Sequence, residues 1–262
     1  MALATTELTK FVEELELAET PQEIEDLAAA GELEAQPLSV KAPDQPAADI
    51  DKGSLVSFVA GVSEQHQSDA LNSTLLAQLN SDKKFDRFDP AQVINWYKNY
   101  TNVLSNVGWT MQDFQFQNYQ ASGSTFSINT AILELVSSFM SPAGVAVVKA
   151  TLEGLAKLSD DDPWYQVFDT SSDSANGGNF QLGQCDDEGG TGPLVMSSTG
   201  FSFTTTEQAT RFLWWEYSSS DTQLHYATQT ATLDNDVYSQ VRQQIIEKLG
   251  DKAHKFIAGL EI

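Results

Sequence analysis

Apolar residues recur at intervals of three and four positions from residue 54 to residue 158, which is the spacing of amphipathic helices. This spacing predicts helices over 54–80, from Asp89 to Val107 and from Phe126 to Met140. The Ser141-Pro142 pair leaves two alternatives open: it caps a separate helix, Ala143–Leu158, or it kinks one long helix. In either form, the two apolar segments are expected to be the central packing element.

From residue 164 the apolar period changes from 3.6 to 2, which is typical of strands. The strand candidates are 109–119 earlier in the chain and then Trp164–Phe168, Asn179–Cys185, Leu194–Thr205, Arg211–Tyr217 and Thr222–Leu233. Short loops between successive strands favour antiparallel pairing. A helix begins after Asp234 and ends at Gly250, and 253–262 add an amphipathic turn or short helix. This order predicts an α+β fold, an antiparallel sheet of about five to six strands flanked by helices on both faces.

Residues 1–52 differ from the rest in charge, with 13 acidic residues against three lysines. One short helix is expected over Thr6–Leu17 and a second from Thr20-Pro21 to about Ala30. Pro37, Pro43 and Pro46 then predict an extended linker. We therefore expect an acidic helical arm and linker over 1–52 and a single α/β domain over 53–262. The arm is either a mobile segment packed weakly on the body or a propeptide, secretion or chaperone-recognition segment.

The net charge of −23 and the pI of about 4.2 exclude several functions. So acidic a surface repels phosphate backbones, so we expect no nucleic-acid partner. It also disfavours passive attraction to anionic lipid. Glu7, Glu13, Glu14 and Glu16 occupy the stretch where a Sec signal needs a basic start and an apolar run. We expect synthesis in the cytoplasm without a Sec signal, with release or membrane association as open outcomes.

No recognisable catalytic or metal motif accompanies this architecture. Cys185 is the single cysteine, which excludes an intramolecular disulfide and a cysteine-based zinc site. The acid clusters at 160–162 and 186–188 lack the spacing of a calcium loop and predict solvated turns. The three histidines lie in different elements; His225, with Asp221 and Glu216 nearby in sequence, is the candidate base if the protein is an enzyme.

Two features are candidates for binding. The aromatic stretch Arg211–Tyr217 is apolar on both faces, which predicts either a central strand or one wall of a ligand cavity. Cys185 closes a strand in which Gly183 shares its face and leaves space beside the thiol. The cysteine is therefore a small buried hydrophobe or carries a covalent S-acyl chain. If a pocket is present, we expect it to be lined by Gly183, Leu182, Phe139, Trp214 and Trp215.

The lone Cys185 on a strand, the preceding apolar helices of 126–158 and the stretch Val237–Arg242 resemble the Erwinia virulence factor family. The resemblance covers the body from residue 53 onward. It implies an α/β fold with a fatty acid thioester-linked to Cys185.

The helix-flanked sheet, the tandem apolar helices and the Trp-rich strand are also similar to the Cyt-type cytolytic toxins. That resemblance implies sheet strands that insert into membranes. Against it, the strands predicted here are short and rich in Thr, Ser and Gln.

These observations favour a bacterial virulence or toxin-like factor without enzyme activity, which holds a lipid and acts at membranes. No cofactor is expected, with a covalently bound fatty acid as the open alternative. The expected partner is lipid or a membrane, and the sequence leaves a protein partner unknown. The alternatives are a pore-forming cytolysin, an enzyme with an unfamiliar site near His225, and a structural or inclusion-forming protein.

Overall fold

The computed structural model of the protein describes residues 5–33, 44–112 and 114–262. Its helices are α1 (Thr5–Glu14), α2 (Gln22–Ala29), α3 (Glu64–Lys84), α4 (Val93–Asn106), α5 (Ile128–Val136), α6 (Pro142–Lys157), α7 (Pro163–Ser172), α8 (Asn235–Tyr238), α9 (Arg242–Leu249) and α10 (Lys252–Phe256). Its strands are β1 (Ala47–Asp51), β2 (Ser54–Phe58), β3 (Trp109–Thr110), β4 (Gln117–Asn118), β5 (Thr125–Phe126), β6 (Asp173–Ser174), β7 (Gly177–Asp186), β8 (Val195–Thr205), β9 (Tyr217–Ser218), β10 (Thr222–Leu233) and β11 (Ile257–Leu260).

Within the described residues, nine strands form one sheet with the order β11-β1-β2-β7-β8-β10-β3, while β4 pairs with β10 and β6 with β7. The pairing of β2 with β7 is parallel and the other pairs are antiparallel. A parallel pair needs a long crossover, and the chain from α3 to α7 supplies it. The α+β class with a mostly antiparallel sheet is confirmed. The sheet has more strands than expected because β1, β2 and β11 extend one side.

Helices cover both faces of the sheet, as predicted. On one face, Thr74 of α3 donates a hydrogen bond to Asp51 Oδ2 at 2.5 Å, and the Tyr97 hydroxyl of α4 donates to Asn179 Oδ1 at 2.8 Å. On the other face, the Phe168 ring of α7 lies 6.5 Å from that of Phe180. Asn179 and Phe180 are successive residues of β7 and therefore point to opposite faces.

Three helix starts follow from capping side chains. Ser63 Oγ accepts from the His66 N–H at the start of α3, and Ser141 Oγ accepts from the Gly144 N–H at the start of α6. The Ser141-Pro142 pair therefore begins a separate helix. Asp162 Oδ1 accepts from the Trp164 N–H, so that Asp162-Pro163 begins α7.

Several element predictions were wrong. The chain forms strand β2 at 54–58 before α3 begins at Glu64. All five residues of β2 are buried, so successive apolar side chains pack on both sides of the sheet. Residues 164–168 are helical because the Asp162 cap outweighs their short-range alternation. Within the described part of 109–119, the predicted strand is limited to β3 and β4. Residues 257–260 form the edge strand β11.

The aromatic stretch Arg211–Tyr217 is not a central strand. The N–H groups of Trp214 and Trp215 both donate to the Arg211 carbonyl, at 2.9 and 3.1 Å, and this turn prevents extended pairing. The Arg211 guanidinium lies 4.5 Å from the Tyr165 ring and 5.0 Å from the Trp214 ring. The stretch is therefore a loop packed on α7, and only its last residue, Tyr217, enters a strand.

The acidic arm contacts the body through both of its helices. Leu8, Val12 and Ile24 are buried, and Lys255 pairs with Glu25 at 2.9 Å. Residues 47–51, grouped with the linker in the sequence interpretation, form β1 between β2 and β11. The predicted linker positions Pro37 and Pro43 lie outside the described residues.

Gly200 of β8 provides a test of the packing between α4 and the sheet. A Cβ atom at this position would lie 2.7 Å from Tyr97 Cε1. Tyr97 cannot move freely because its hydroxyl donates to Asn179 Oδ1 and accepts from Gln181 Nε2 at 3.0 Å. We expect Gly200→Ala to lower the free energy of unfolding by about 2 kcal/mol in urea denaturation. Gly123→Ala is the control, because a Cβ atom at Gly123 would lie 3.4 Å from its nearest neighbour, the Thr125 carbonyl oxygen. Equal stability of the two variants would contradict the prediction.

Candidate functional site

Cys185 is fully buried near the end of β7, opposite Phe58 of β2 and Met196 of β8. Burial raises the pKa of its thiol well above the ordinary value, and the nearby Asp187 and Asp186 raise it further. The space expected beside Gly183 is occupied, because a Cβ there would lie 3.1 Å from Met196 Sδ. A void lined by Gly183 and Met196 has a volume of about 10 Å³, which is enough for one water molecule. In this conformation the thiol is therefore neutral and enclosed.

The residues expected to line a pocket with Cys185 are distributed over different surfaces. Gly183 shares the face of Cys185, whereas the Leu182 side chain points to the opposite face. Phe139 and Trp215 are 39% and 38% exposed. Trp215 Nε1 donates to Glu207 Oε2 at 3.1 Å on the surface. These side chains do not converge on one enclosed cavity, and attachment of a lipid to Cys185 stays a prediction.

His225 lies within β10, where it pairs with Ser202 of β8 and Asn118 of β4. Asp221 lies in the preceding turn and accepts from Ser220 Oγ at 3.1 Å. Among the described residues, no hydrogen bond joins His225 to Asp221 or Glu216. The geometry therefore provides no acid–base pair at this position.

The acid cluster 186–188 closes the end of β7. Asp187 accepts hydrogen bonds from the Ser63 N–H at 3.0 Å, the Gly190 N–H at 2.7 Å and His66 Nδ1 at 2.8 Å. Burial raises the pKa of Asp187, but these hydrogen bonds outweigh it and hold the pKa below the ordinary value. Within residues 5–33, 44–112 and 114–262, no group of three or more His, Cys, Asp or Glu side chains is placed to hold a metal ion.

A buried polar cluster that the sequence did not reveal lies between the sheet and helices α3 and α4. Its four ionisable members are Asp51, Lys52, Asp82 and Arg87. Asp82 lies 2.6 Å from Lys52 Nζ and 3.6 Å from Arg87 Nε. Arg87 Nη1 also donates to the Ser171 carbonyl at 2.8 Å. Because Lys52 and Asp82 are 30 positions apart in sequence, no local motif predicts that the two parts of the cluster meet.

Asp51 is the anomalous member of this cluster. Burial raises its pKa to about 8, although the hydrogen bond from Thr74 and the charges of Lys52 and Arg87 oppose the shift. Its Oδ1 atom has no hydrogen-bond partner among the described residues. At neutral pH the carboxyl is therefore mostly protonated.

The strands predicted over Leu194–Thr205 and Thr222–Leu233 hold to within one residue, whereas β7 extends beyond the predicted Asn179–Cys185 at both ends. β7, β8 and β10 are neighbours of 10, 11 and 12 residues. Within these three ranges Asp186 is the one Asp, Glu, Lys or Arg residue, whereas 19% of the whole chain is charged. We call β7, β8 and β10 the uncharged strands. None of the helices in the described part of the chain has the length and apolarity to cross a bilayer.

The pair β8–β10 has two unlike faces. On one face Phe201 lies opposite Tyr226 and Phe203 lies opposite Leu224, and the other members of that face are Val195, Ser197 and threonines. The opposite face carries Gln223, His225 and Gln229 together with serines. Within the folded protein, Phe180 of β7 extends the aromatic part of the first face, with its ring 4.8 Å from that of Phe201, and Phe212 packs on it with its ring 5.7 Å from that of Phe203.

No protein-family model matches the chain, and no curated protein sequence does so. Solved structures do show similarity. One described as a delta-endotoxin is 12% identical, covers 68% of this chain and 79% of its own, and has a TM-score of 0.39. Activated monomeric Cyt2Ba from Bacillus thuringiensis subsp. israelensis is 14% identical, covers 68% and 96%, and has a TM-score of 0.40. The Evf virulence factor is 13% identical, covers 87% and 90%, and has a TM-score of 0.34.

Both resemblances stated from the sequence therefore recur among solved structures. The likeness is partial in each case, since every TM-score lies below 0.5.

The buried carboxyl of Asp51 predicts a pH-dependent stability. An acid whose pKa is raised on folding weakens the folded state as pH rises from the unfolded value of 3.8 to about 8. Asp51→Asn removes this penalty. We expect the free energy of unfolding of the variant, relative to that of the wild type, to increase between pH 4 and pH 8 by at most about 1.4 kcal/mol per pH unit. Urea denaturation across this range tests the prediction. Asp161→Asn, in an exposed turn, is the control. If the unfolding free energies of wild type and Asp51→Asn change with pH in parallel, the prediction is refuted.

Proposed function

We propose that this protein is a toxin-like factor that acts on membranes without enzymatic chemistry, by inserting its uncharged strands into the bilayer. The observation that carries the proposal is the near absence of charge from β7, β8 and β10 in a chain of net charge −23. A soluble sheet does not require this, because strand faces that meet water commonly carry charged side chains.

The strands are long enough for the proposed role. A strand rises about 3.3 Å per residue, and about 9 to 11 residues suffice to span a bilayer at a tilt of about 45°. β8 and β10 have 11 and 12 residues in continuous register. This length answers the objection drawn from the sequence, that the strands are too short to insert.

The free energy of insertion also favours these strands over the rest of the chain. A Lys or Arg on the lipid face of a membrane strand costs about 2–4 kcal/mol at the bilayer midplane. A stretch as long as β8 and β10 together, with the chain's average of 19% charged residues, would hold about four such residues. The two strands hold none.

One face of β8–β10 is suited to contact lipid. The face of Phe201, Phe203, Leu224 and Tyr226 carries no Gln, His or charged residue, and the Phe212 ring now packs on its aromatic part. Insertion therefore exchanges contact with protein aromatic rings for contact with acyl chains. The opposite face, which has the glutamines, would meet water or another copy of the chain.

Helices must separate from the sheet before the strands insert. Two contacts hold helices at the ends of the uncharged strands. His66 of α3 bonds Asp187 beyond β7, and Arg211 Nη2 donates to the Leu158 carbonyl at the end of α6, at 3.1 Å. These contacts connect the helical layers to the loops that would have to open.

The substitution Thr228→Lys tests the proposal. Thr228 is exposed in the folded protein but lies mid-strand on the proposed lipid face. We expect the variant to keep wild-type stability in water and to release dye from phosphatidylcholine vesicles at least tenfold more slowly, because lysine adds about 2–4 kcal/mol to insertion. Uncharged vesicles keep the added charge from altering attraction to the surface.

Ser105→Lys on the exposed side of α4 adds the same charge outside the strands and is the matched control. We expect this variant to release dye at the wild-type rate. The proposal fails if the wild-type chain releases no dye, or if both lysine variants slow the release equally.

A second candidate is a lipid-anchored form in which Cys185 carries a fatty acid as a thioester. The position of the cysteine favours it, because Cys185 is the last uncharged residue of β7 and directly precedes Asp186. A chain attached there would begin at the boundary between the uncharged strand and polar residues. Because the adjacent void of about 10 Å³ is far smaller than a ligand pocket, the thiol would have to react before folding or after the helices separate.

Intact-mass measurement on protein purified from its native host tests the acylated form. We expect an added mass equal to one fatty acyl group, which hydroxylamine removes by cleaving the thioester. Cys185→Ala should lack the added mass and keep the fold. Unmodified mass in the native protein would exclude the thioester and leave the insertion proposal standing, since that depends on dye release alone.

A further inference from the structure

A cavity of about 440 Å³ lies beside the buried polar cluster, at the end of α3. Its ionisable lining residues are Lys52, Asp82, Lys83, Lys84, Asp86 and Arg87. Four of the chain's 14 basic residues are thus collected around one cavity, while acidic residues outnumber basic ones by 23 in the whole chain. We call it the basic cavity. The local charge is opposite in sign to that of the protein.

The inner part of the basic cavity contains buried cations with too few counter-charges. Lys52 and Arg87 are 6% and 4% exposed, and Asp82 is the carboxylate that both contact. Asp51, a buried acid next to Lys52 in the chain, has its pKa raised to about 8 and is mostly protonated at neutral pH, and Asp86 is exposed. Asp82 is therefore shared by two buried basic side chains, an arrangement that an anion in the cavity would stabilise.

Hydrogen-bond donors are also left over. Ser171 Oγ has no hydrogen-bond partner among the described residues, and Arg87 Nε lies 3.6 Å from Asp82 Oδ1, which is beyond hydrogen-bond distance, although both residues line the basic cavity and are 4% exposed. Buried polar atoms are normally satisfied, so unpaired donors beside a cavity indicate a missing acceptor. Guanidinium, ammonium and hydroxyl groups together match the oxygens of a phosphate group.

Two exposed lysines complete the entrance. Lys83 has no hydrogen-bond or ion-pair partner among the described residues, and Lys84 Nζ donates to Asn99 Oδ1 at 2.9 Å. Both lie in the last turn of α3, where lysines also offset the negative end of the helix. That role accounts for Lys83 and Lys84 without a ligand, but not for the buried Lys52 and Arg87.

We propose that the basic cavity binds a phosphate group, with Arg87, Lys52 and Ser171 contacting its oxygens and Lys83 and Lys84 attracting it at the entrance. The site is separate from the uncharged strands and does not depend on membrane insertion. The phosphate belongs either to a soluble compound or to a lipid headgroup.

Isothermal titration calorimetry of the full-length protein with inorganic phosphate tests the site. We expect saturable binding at neutral pH. The double variant Lys83→Gln, Lys84→Gln should raise Kd about fivefold or more, by removing two partly exposed charge contacts. Lys149→Gln with Lys157→Gln on α6 changes the net charge equally at exposed positions outside the cavity and should leave Kd unchanged.

Ser171→Ala supplies an independent measurement. Its hydroxyl has no partner in the protein, so the variant should unfold at the wild-type denaturant concentration and bind phosphate more weakly. A purely structural role for the cavity predicts the reverse, a loss of stability with no change in Kd.

Vesicles of phosphatidylcholine with and without phosphatidic acid identify the source of the phosphate. Binding that requires phosphatidic acid and is displaced by inorganic phosphate indicates a lipid headgroup; binding of inorganic phosphate alone indicates a soluble ligand. The proposal is overturned if neither probe binds, or if the double variant and its α6 control bind equally well.

Discussion

The packing of α3, α4 and the β1–β2 turn depends on the interactions of one carboxylate, that of Asp82. It pairs with Lys52 in the β1–β2 turn and accepts from Trp96 Nε1 of α4 at 2.7 Å, while belonging itself to α3. Through Arg87 the same network extends to the Ser171 carbonyl at the end of α7. A buried carboxylate is stable only when several donors satisfy it, so these elements are held in one arrangement. That arrangement also creates the basic cavity.

The two faces of the sheet are packed by different interactions. Beneath α3 and α4, Tyr97, Asn179 and Gln181 form a hydrogen-bonded network. Because hydrogen bonds are directional, this network fixes the orientation of α4 on the sheet, in addition to the apolar contact between them. Beneath α7, phenylalanine rings stack on one another, as Phe180 does on Phe201 at 4.8 Å. Apolar packing has little directional preference and lipid can replace it. The aromatic face is thus the one from which a helical layer can separate at lower cost.

Charge is distributed unevenly over the fold, and this distribution connects the two proposals. The net charge of −23 disfavours attraction to anionic lipid, while the uncharged strands lie inside the sheet between β2 and β3. The basic cavity is a local exception in which Lys52 and Arg87 are concentrated on the inside. The proposed function requires such a separation, because the residues that favour water oppose insertion.

The sequence by itself determined the local elements whose signals are short-range: the caps at Ser141 and Asp234, the period-2 strands Thr222–Leu233 and Leu194–Thr205, and the mixed α+β class. It failed where distant contacts override local pattern. Residues 54–58 form a strand because β1 and β7 flank them, and the aromatic stretch after Arg211 is a loop because the sheet has other partners for β8.

The long-range sites were also decided only in three dimensions. Lys52, Asp82 and Arg87 meet because a turn, a helix end and a loop converge, and Cys185 is enclosed because Met196 occupies the space that Gly183 offered. Neither spacing nor composition encodes such encounters, since they depend on which buried surfaces pack together.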